Sequence, residues 1–325
     1  MRNRLKTALF YLILLFATYT LARLFLEERK LLQQIRSIDF IYFIPQFILA
    51  FLLGLLDTYV NKLMLQTFHI DLKFKEWFGL GCVNSLSNYL FPLKAGTMVK
   101  AIYLKKKYGF PITHNASIML FSQFIFFEII FFFSFLIFAF IRISKVTVIP
   151  HTDLLITVSF SIFLAGLLFA LSITRIPLDR ASQDHTSHRL FHLLRLFSQG
   201  LKILSTRYHL IIVVVISQAI VFSLQTLRLY FGYLAIKNPQ PLFKTAIVNI
   251  LYCIGSLVIL TPGNIGIQEF ILTLSSSLIG LTREEGFMTA AIIRAVALVL
   301  VMGLGIFYYL ALDMNKVILT KELKE

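Results

Sequence analysis

Thr261-Pro262-Gly263-Asn264-Ile265-Gly266 interrupts an otherwise apolar stretch at residues 242–281. Asn88-Tyr89-Leu90-Phe91-Pro92-Leu93-Lys94-Ala95-Gly96 interrupts another at residues 77–108. Proline removes a backbone donor, and glycine admits conformations that a helix interior disfavours. Each stretch therefore reads as two short helices joined at a turn, a re-entrant hairpin that enters and leaves a bilayer on one side. Breaks of this kind are tolerated at membrane depth only where protein or a watery cavity covers the freed backbone groups. The competing reading is a pair of Pro-kinked helices that cross fully.

Working outward, uninterrupted apolar runs lie at Leu5–Leu26, Ile41–Phe68, Thr113–Ile141, Leu154–Ile176, Tyr208–Ile236 and Phe287–Leu312. Each has about the 20 residues that carry a helix across roughly 30 Å of hydrocarbon. Charged residues make up only 14% of the chain, against about a quarter in soluble domains. The expected fold is thus an all-α polytopic membrane protein with about six full crossings plus the two broken-helix hairpins, and no soluble domain of any size. Arg2, Arg4 and Lys6 stand at the start of the chain, before it turns continuously apolar. No small-x-small cleavage site follows it, so an uncleaved first span is expected rather than a signal peptide.

Charge sets the topology. If all eight apolar segments crossed, the Lys105-Lys106-Lys107 cluster and the basic linker 177–207 would both lie outside. With two re-entrant hairpins and the N-terminus inside, the cytosolic face carries roughly twice as many Lys and Arg as the outer face, as the positive-inside rule demands. Both termini are then cytosolic. The net charge of +15 sits at span ends, where it meets anionic headgroups, and calls for no nucleic acid.

The two broken stretches also correspond. Pro92-x3-Gly96 matches Pro262-x3-Gly266; Gln123 follows the first proline by 31 residues and Arg294 follows the second by 32. Asp57-Thr58 precedes the first by 35, and Gln225-Thr226 precedes the second by 37. Residues 1–150 and 151–325 thus read as two repeats within one transmembrane domain, pointing in opposite directions. Inverted repeats with interrupted helices are a transporter signature, with the binding site at the repeat interface near the midplane. Duplication that serves packing alone is the plainer alternative.

Other features are read as structural. Cys82 and Cys253 lack disulfide or metal-ligand spacing. His185, His188 and His192 share a helical face, but with no matching carboxylate or Cys the linker is read as a surface helix on anionic lipid, and no metal or cofactor is expected. The Phe-rich run Phe124–Phe140 is lipid-facing or packing surface. No Walker loop, dinucleotide fingerprint, His-Glu-x-x-His or nucleophile elbow is present, so ATP-driven transport by this chain alone is not expected; a transporter is favoured over an enzyme, with the enzyme reading left open.

At the two breaks the sequence resembles the transmembrane flippase domain of bacterial lysylphosphatidylglycerol synthases and its stand-alone relatives. Thr261-Pro262-Gly263-Asn264-Ile265-Gly266-Ile267-Gln268-Glu269 is similar to that family's Pro-Gly-Gly-x-Gly-x-x-Glu element. Pro92-Leu93-Lys94-Ala95-Gly96-Thr97-Met98-Val99-Lys100 is similar to its Pro-x-Arg-x-Gly-Glu-x-x-Arg element, and Arg294 falls where the family carries an Arg in the following span. There are departures. Lys94 and Lys100 stand where Arg is usual, and Thr97 where Glu is usual. Ser122-Gln123 replaces a Glu-Arg pair, with Glu128 two residues beyond the register of the family's nearby Asp. The soluble aminoacyl-transferase domain of the fused enzymes is not expected in this chain. The resemblance implies a bacterial or archaeal cytoplasmic membrane.

Ionisable groups inside spans are site candidates by default, since a charge at a helix centre costs about 2.5–3.5 kcal/mol. Glu269 and Arg294 either pair across the second hairpin or meet a charged headgroup; Glu269 also suits bracing of the Pro262-Gly263 turn. Arg294 presents a fork of donors suited to phosphate. Lys94 and Lys100 either supply positive charge to a lipid phosphate or snorkel to the surface. The helix starts at Gly96 and Gly266 are expected to aim free N–H groups at an anion. Arg228 reads as an interfacial anchor. Asp57 and Glu128 either carry a proton for coupling or bond to neighbouring polar side chains.

The resemblance and the breaks together imply a lipid translocase for a phosphate-headgroup lipid: aminoacylated phosphatidylglycerol, a polyprenyl-phosphate sugar or a hopanoid-type lipid. Its partners would be membrane lipids and a separate lipid-modifying synthase or glycosyltransferase. The rival is an intramembrane transferase, or the membrane partner of a glycosyltransferase, which needs an acid–base carboxylate pair beside the cavity. A purely structural scaffold is the third reading.

Overall fold

The computed structural model describes residues 38–91, 95–144, 152–175, 188–256 and 261–314, with side chains described except at 95, 170–175 and 188–195. The described residues form ten α-helices and two 3-10 turns, with no strand among them. In chain order the helices are α1 Phe43–Gln66, α2 Phe74–Leu90, α3 Ala95–Tyr108, α4 Ile112–Ile143, α5 Thr152–Arg175, α6 His188–Ser205, α7 Tyr208–Ala235, α8 Leu242–Gly255, α9 Ile267–Ser277 and α10 Arg283–Ala311. A long helix, two short ones and a second long one thus occur in order twice, as α1–α4 and as α7–α10.

Among the described residues, five helices are long and apolar enough to cross a membrane: Phe40–Gln66, Ile112–Ile143, Thr152–Phe169, Tyr208–Ala235 and Arg283–Ala311. They coincide within a few residues with five of the expected spans; Leu5–Leu26 lies outside the described residues. Their surfaces explain the environment. On α5, Leu154, Phe160, Leu164, Leu168 and Phe169 are exposed, so this helix is apolar on faces that no other described residue covers. Hydrocarbon is the solvent that matches such a surface. The chain is an all-α, multi-pass membrane protein. By contrast α2, α3, α8 and α9, at 17, 14, 14 and 11 residues, fall short of the about 20 residues of a crossing.

Local chemistry sets the helix ends. Pro111 and Pro241, both extended, immediately precede α4 and α8. Thr282 and Glu285 form a reciprocal cap at the start of α10: Thr282 N–H donates to Glu285 Oε2 at 2.8 Å, and Glu285 N–H to Thr282 Oγ1 at 3.2 Å.

The helices sort into two compact units, each drawing segments from both halves of the chain. One comprises 38–50, 85–91, 95–96, 225–256 and 261–302. Its core joins α7, α8, α9 and α10 through Leu229, Tyr233, Val248, Leu272 and Ile293. Within it α8 and α9 run antiparallel: Lys244 Nζ reaches Ile279 O at 3.3 Å near the base, and Tyr252 Oη donates to Gln268 Oε1 at 3.1 Å near the tip.

The other unit comprises 51–84, 97–144, 152–175, 188–224 and 303–314. There α4 packs on α5 and α6, Ser117 Oγ donates to Phe197 O at 2.8 Å, and Gln218 Nε2 ties α7 to Ser122 Oγ at 3.1 Å. Of linker 177–207, the part from His188 onward forms α6, which packs on α4 with Leu204 fully buried. His185 lies outside the described residues, as do the side chains of His188 and His192.

Candidate functional site

Among the described residues, the second break holds a 3-10 turn, Pro262–Asn264, just before α9. Gly263 sits at φ 58° and Gly266 at φ 85°, a region that side chains rarely adopt and glycine enters freely. Thr261 Oγ1 donates to Ile265 O at 2.8 Å and closes the turn. Arg294 of α10 faces it. Its Nε donates to Glu269 Oε1 at 2.6 Å and its Nη1 to Gly263 O at 2.5 Å. Its Nη2 reaches Asn264 O and Gln268 Oε1, both at 3.3 Å. Glu269 Oε2 accepts the Gly266 N–H at 2.7 Å.

The Arg294 and Glu269 side chains are only 12% and 10% exposed. This buried pair therefore also satisfies backbone groups that the Pro and Gly of the break leave without helical partners. Of the alternatives open for Glu269 and Arg294, the structure has the pair, and Glu269 also braces the turn through the Gly266 N–H.

Beside the pair lies an inner cavity of about 50 Å³, lined by Tyr89, Arg228, Tyr252, Gln268, Glu269 and Arg294 among others. At roughly 10–15 Å³ per water on this measure, it has room for a few waters. The Tyr89 ring centre stands 5.5 Å from the Arg294 guanidinium carbon, a cation–π contact. An outer cavity of about 230 Å³ shares Tyr89 and Gln268 with the inner one and is lined by Ser85, Asn88, Thr261 and Asn264 as well. Both breaks thus contribute to it.

Arg228 departs from its reading as an interfacial anchor. The side chain turns into the inner cavity, where Nη2 donates to Ile293 O at 2.6 Å. Its Nε is buried with no hydrogen-bond partner, and no carboxylate among the described residues pairs with it. Gln46, fully buried, fixes the adjacent backbone by donating from Nε2 to Arg228 O at 2.7 Å.

The expectation of free amides at both helix starts is corrected. Gly96 N–H donates to Asn88 Oδ1 at 2.9 Å, and Gly266 N–H is taken by Glu269. A side-chain acceptor that the fold already holds at the helix start wins over a diffusing anion.

The remaining candidates fall elsewhere. Lys94 lies outside the described residues. Lys100 belongs to the other unit, where its Nζ donates to Asn61 Oδ1 at 2.8 Å in a small cavity that Asp57, Trp77 and Asn84 also line. Gln123, in α4, is half-buried next to Ser122. Glu128, also in α4, packs against Gly166 of α5 with Oε2 buried and unpartnered. Tyr89, Tyr252, Gln268 and Asn88 were not singled out from sequence. Asn88, Tyr89 and Gln268 stand inside the two break motifs, and a polar side chain beside a Pro/Gly interruption is the signal that would have found them.

Neither a curated protein nor a solved structure matches the chain. Residues 5–305 match the family described as the lysylphosphatidylglycerol synthase TM region, and the chain belongs to that family.

Proposed function

We propose that the chain is a lipid translocase, a flippase that moves a phosphate-headgroup lipid between leaflets. The headgroup enters the cavities at the second break while the tail stays in hydrocarbon. What carries the reading is two arginines, Arg228 and Arg294, inside apolar helices and bordering one polar cavity. Charges held there are expensive, and a route for a charged group is the usual reason to keep them. The short lengths of α2, α3, α8 and α9 support re-entrant hairpins. The repeated order of long and short helices supports two inverted repeats that open the cavity to each side in turn. Membership of a membrane-domain family named for a lipid synthase agrees with lipid as the cargo.

The transferase reading needs two carboxylates at the cavity, and among the described residues Glu269 is the one that lines it, already paired. The deciding experiment is headgroup exposure in proteoliposomes, with fluorescent phosphatidylglycerol and a polyprenyl-phosphate analogue as cargo. Protein-dependent access of an outside quencher to the label is expected, and its loss in Arg294→Ala. Absence of translocation for every lipid tested would end the flippase reading.

A further inference from the structure

Between them, the two interrupted stretches at residues 77–108 and 242–281 contain one carboxylate, Glu269. Both its oxygens are taken, Oε1 by Arg294 and Oε2 by the Gly266 N–H. An incoming ammonium therefore finds no free carboxylate on either stretch. For an anion the balance is the reverse. Glu269 neutralises Arg294, whose donors are spread over the break, so among the described residues Arg228 is the uncompensated cation that lines the inner cavity. One of its donors is spent on Ile293 O, and its buried Nε has no partner. That cavity, about 50 Å³, suits a group the size of one oxyanion.

The outer cavity has a different character. Its described lining offers neutral hydrogen-bonding side chains, Ser85, Asn88, Thr261, Asn264 and Gln268, and no charge. Asn264 Oδ1 is a buried acceptor with no donor. Hydroxyl groups fit such a lining, because each can give and accept a hydrogen bond without bringing a charge into the bilayer.

We infer that Arg228 receives the phosphate oxyanion, that Arg294 is a positioning residue which holds the break, and that the site takes phosphodiesters with an uncharged, hydroxylated headgroup. Glycerol and sugar headgroups qualify; an aminoacyl headgroup with a free ammonium is discriminated against. This rests on the translocase reading and narrows its cargo. A buried guanidinium without a counter-ion is costly in the empty site, and an arriving phosphodiester removes that cost. A headgroup that brings its own ammonium adds a second uncompensated cation beside Arg228.

The test is equilibrium binding of the full-length chain in detergent to phosphatidylglycerol, a glycosylated polyprenyl phosphate and lysylphosphatidylglycerol. At least one of the first two is expected to bind at least tenfold more tightly than the third. Whichever binds names the source of the phosphodiester, a glycerolipid or an isoprenoid. Arg228→Gln should weaken that binding at least tenfold, and Arg228→Lys, which keeps the charge and loses the fork, should weaken it less. Equal affinity for lysylphosphatidylglycerol, binding of none of the three, or unchanged affinity in a folded Arg228→Gln protein would each overturn the inference. Should Arg228→Gln not fold, the wild-type ranking decides alone. Because binding is read without transport, the predicted ranking with no flipping in proteoliposomes would sink the translocase reading and leave the site standing.

Discussion

The two hairpins share an order of elements, and among the described residues their ion pairs lie at opposite ends. The first, α2 and α3, is tied at its base: Glu76 near the start of α2 accepts from Lys107 and, at 2.8 Å, from Tyr108 at the end of α3. Lys107 is 45% exposed there, so water and salt compete for it. The second, α8 and α9, is tied at its tip by the buried Arg294–Glu269 pair, which reaches the turn itself. An exposed pair is worth about 0–1 kcal/mol, whereas removing one member of a buried pair costs about 3–5 kcal/mol. The same architecture thus has one fastening that conditions can loosen and one that holds its turn in place, and the inner cavity lies beside the second.

The largest effect should come from breaking the buried fastening. Arg294→Ala leaves Glu269 buried and charged, and it deprives the Gly263 and Asn264 carbonyls of donors. The expected loss is about 3–5 kcal/mol, read by thermal unfolding in detergent. Removing both partners, as Arg294→Ala with Glu269→Ala, should cost clearly less than the sum of the single changes, because no unpaired charge remains. Strict additivity would mean that the pair does not act as one unit.

Next in size is a contrast between the corresponding glycines. Gly266 lies at φ 85°, so Gly266→Ala forces a side chain into a strained conformation, at about 1–3 kcal/mol. Gly96 lies within α3, where alanine is the better helix former; Gly96→Ala should change stability by no more than about 1 kcal/mol. Comparable losses at both positions would show that the turns are more alike than their backbones indicate.

Much of the fold was legible because long apolar runs admit few readings: five spans fall where hydropathy put them. The second break was legible too, since Pro262, Gly263 and Gly266 carry their backbone preferences with them. The competition among donors and acceptors was not. Spacing puts Glu269 and Arg294 within reach of each other, but whether Arg294 serves a headgroup or the Gly263 carbonyl depends on distances that only the folded turn defines. Arg228 was misplaced for a related reason. Position along a span estimates depth, whereas its role depends on which face of α7 meets α10, as Ile293 O and the cavity reveal. The capping of Gly96 by Asn88 across the first turn was hidden in the same way.

The smallest effect is the one most sensitive to solution conditions. Glu76 and Lys107 lie outside the five long spans. Burial alone would raise the Glu76 carboxyl, but hydrogen bonds from Lys107 and Tyr108, with the charge of Lys107, outweigh it and hold the group below its usual range. The Glu76 hydrogen bond in turn holds Lys107 above its usual range. A carboxyl depressed on folding stabilises fully above its unfolded value, and that contribution fades as pH falls through the lowered one. An ammonium raised on folding stabilises fully below its unfolded value and loses this as pH climbs through the raised one. The base of the first hairpin should therefore loosen in acid below the usual glutamate range and in strong base, and be firm between. Glu76→Gln should cost about 1 kcal/mol or less near neutral pH, and the cost should shrink at high salt because the pair is partly exposed. Unfolding temperature followed against pH for both proteins isolates the contribution: the difference between them should close as acid protonates Glu76. A gap that stays constant through the acid range would assign the stabilisation to packing around Tyr108 and remove the ion pair as the fastening of that hairpin.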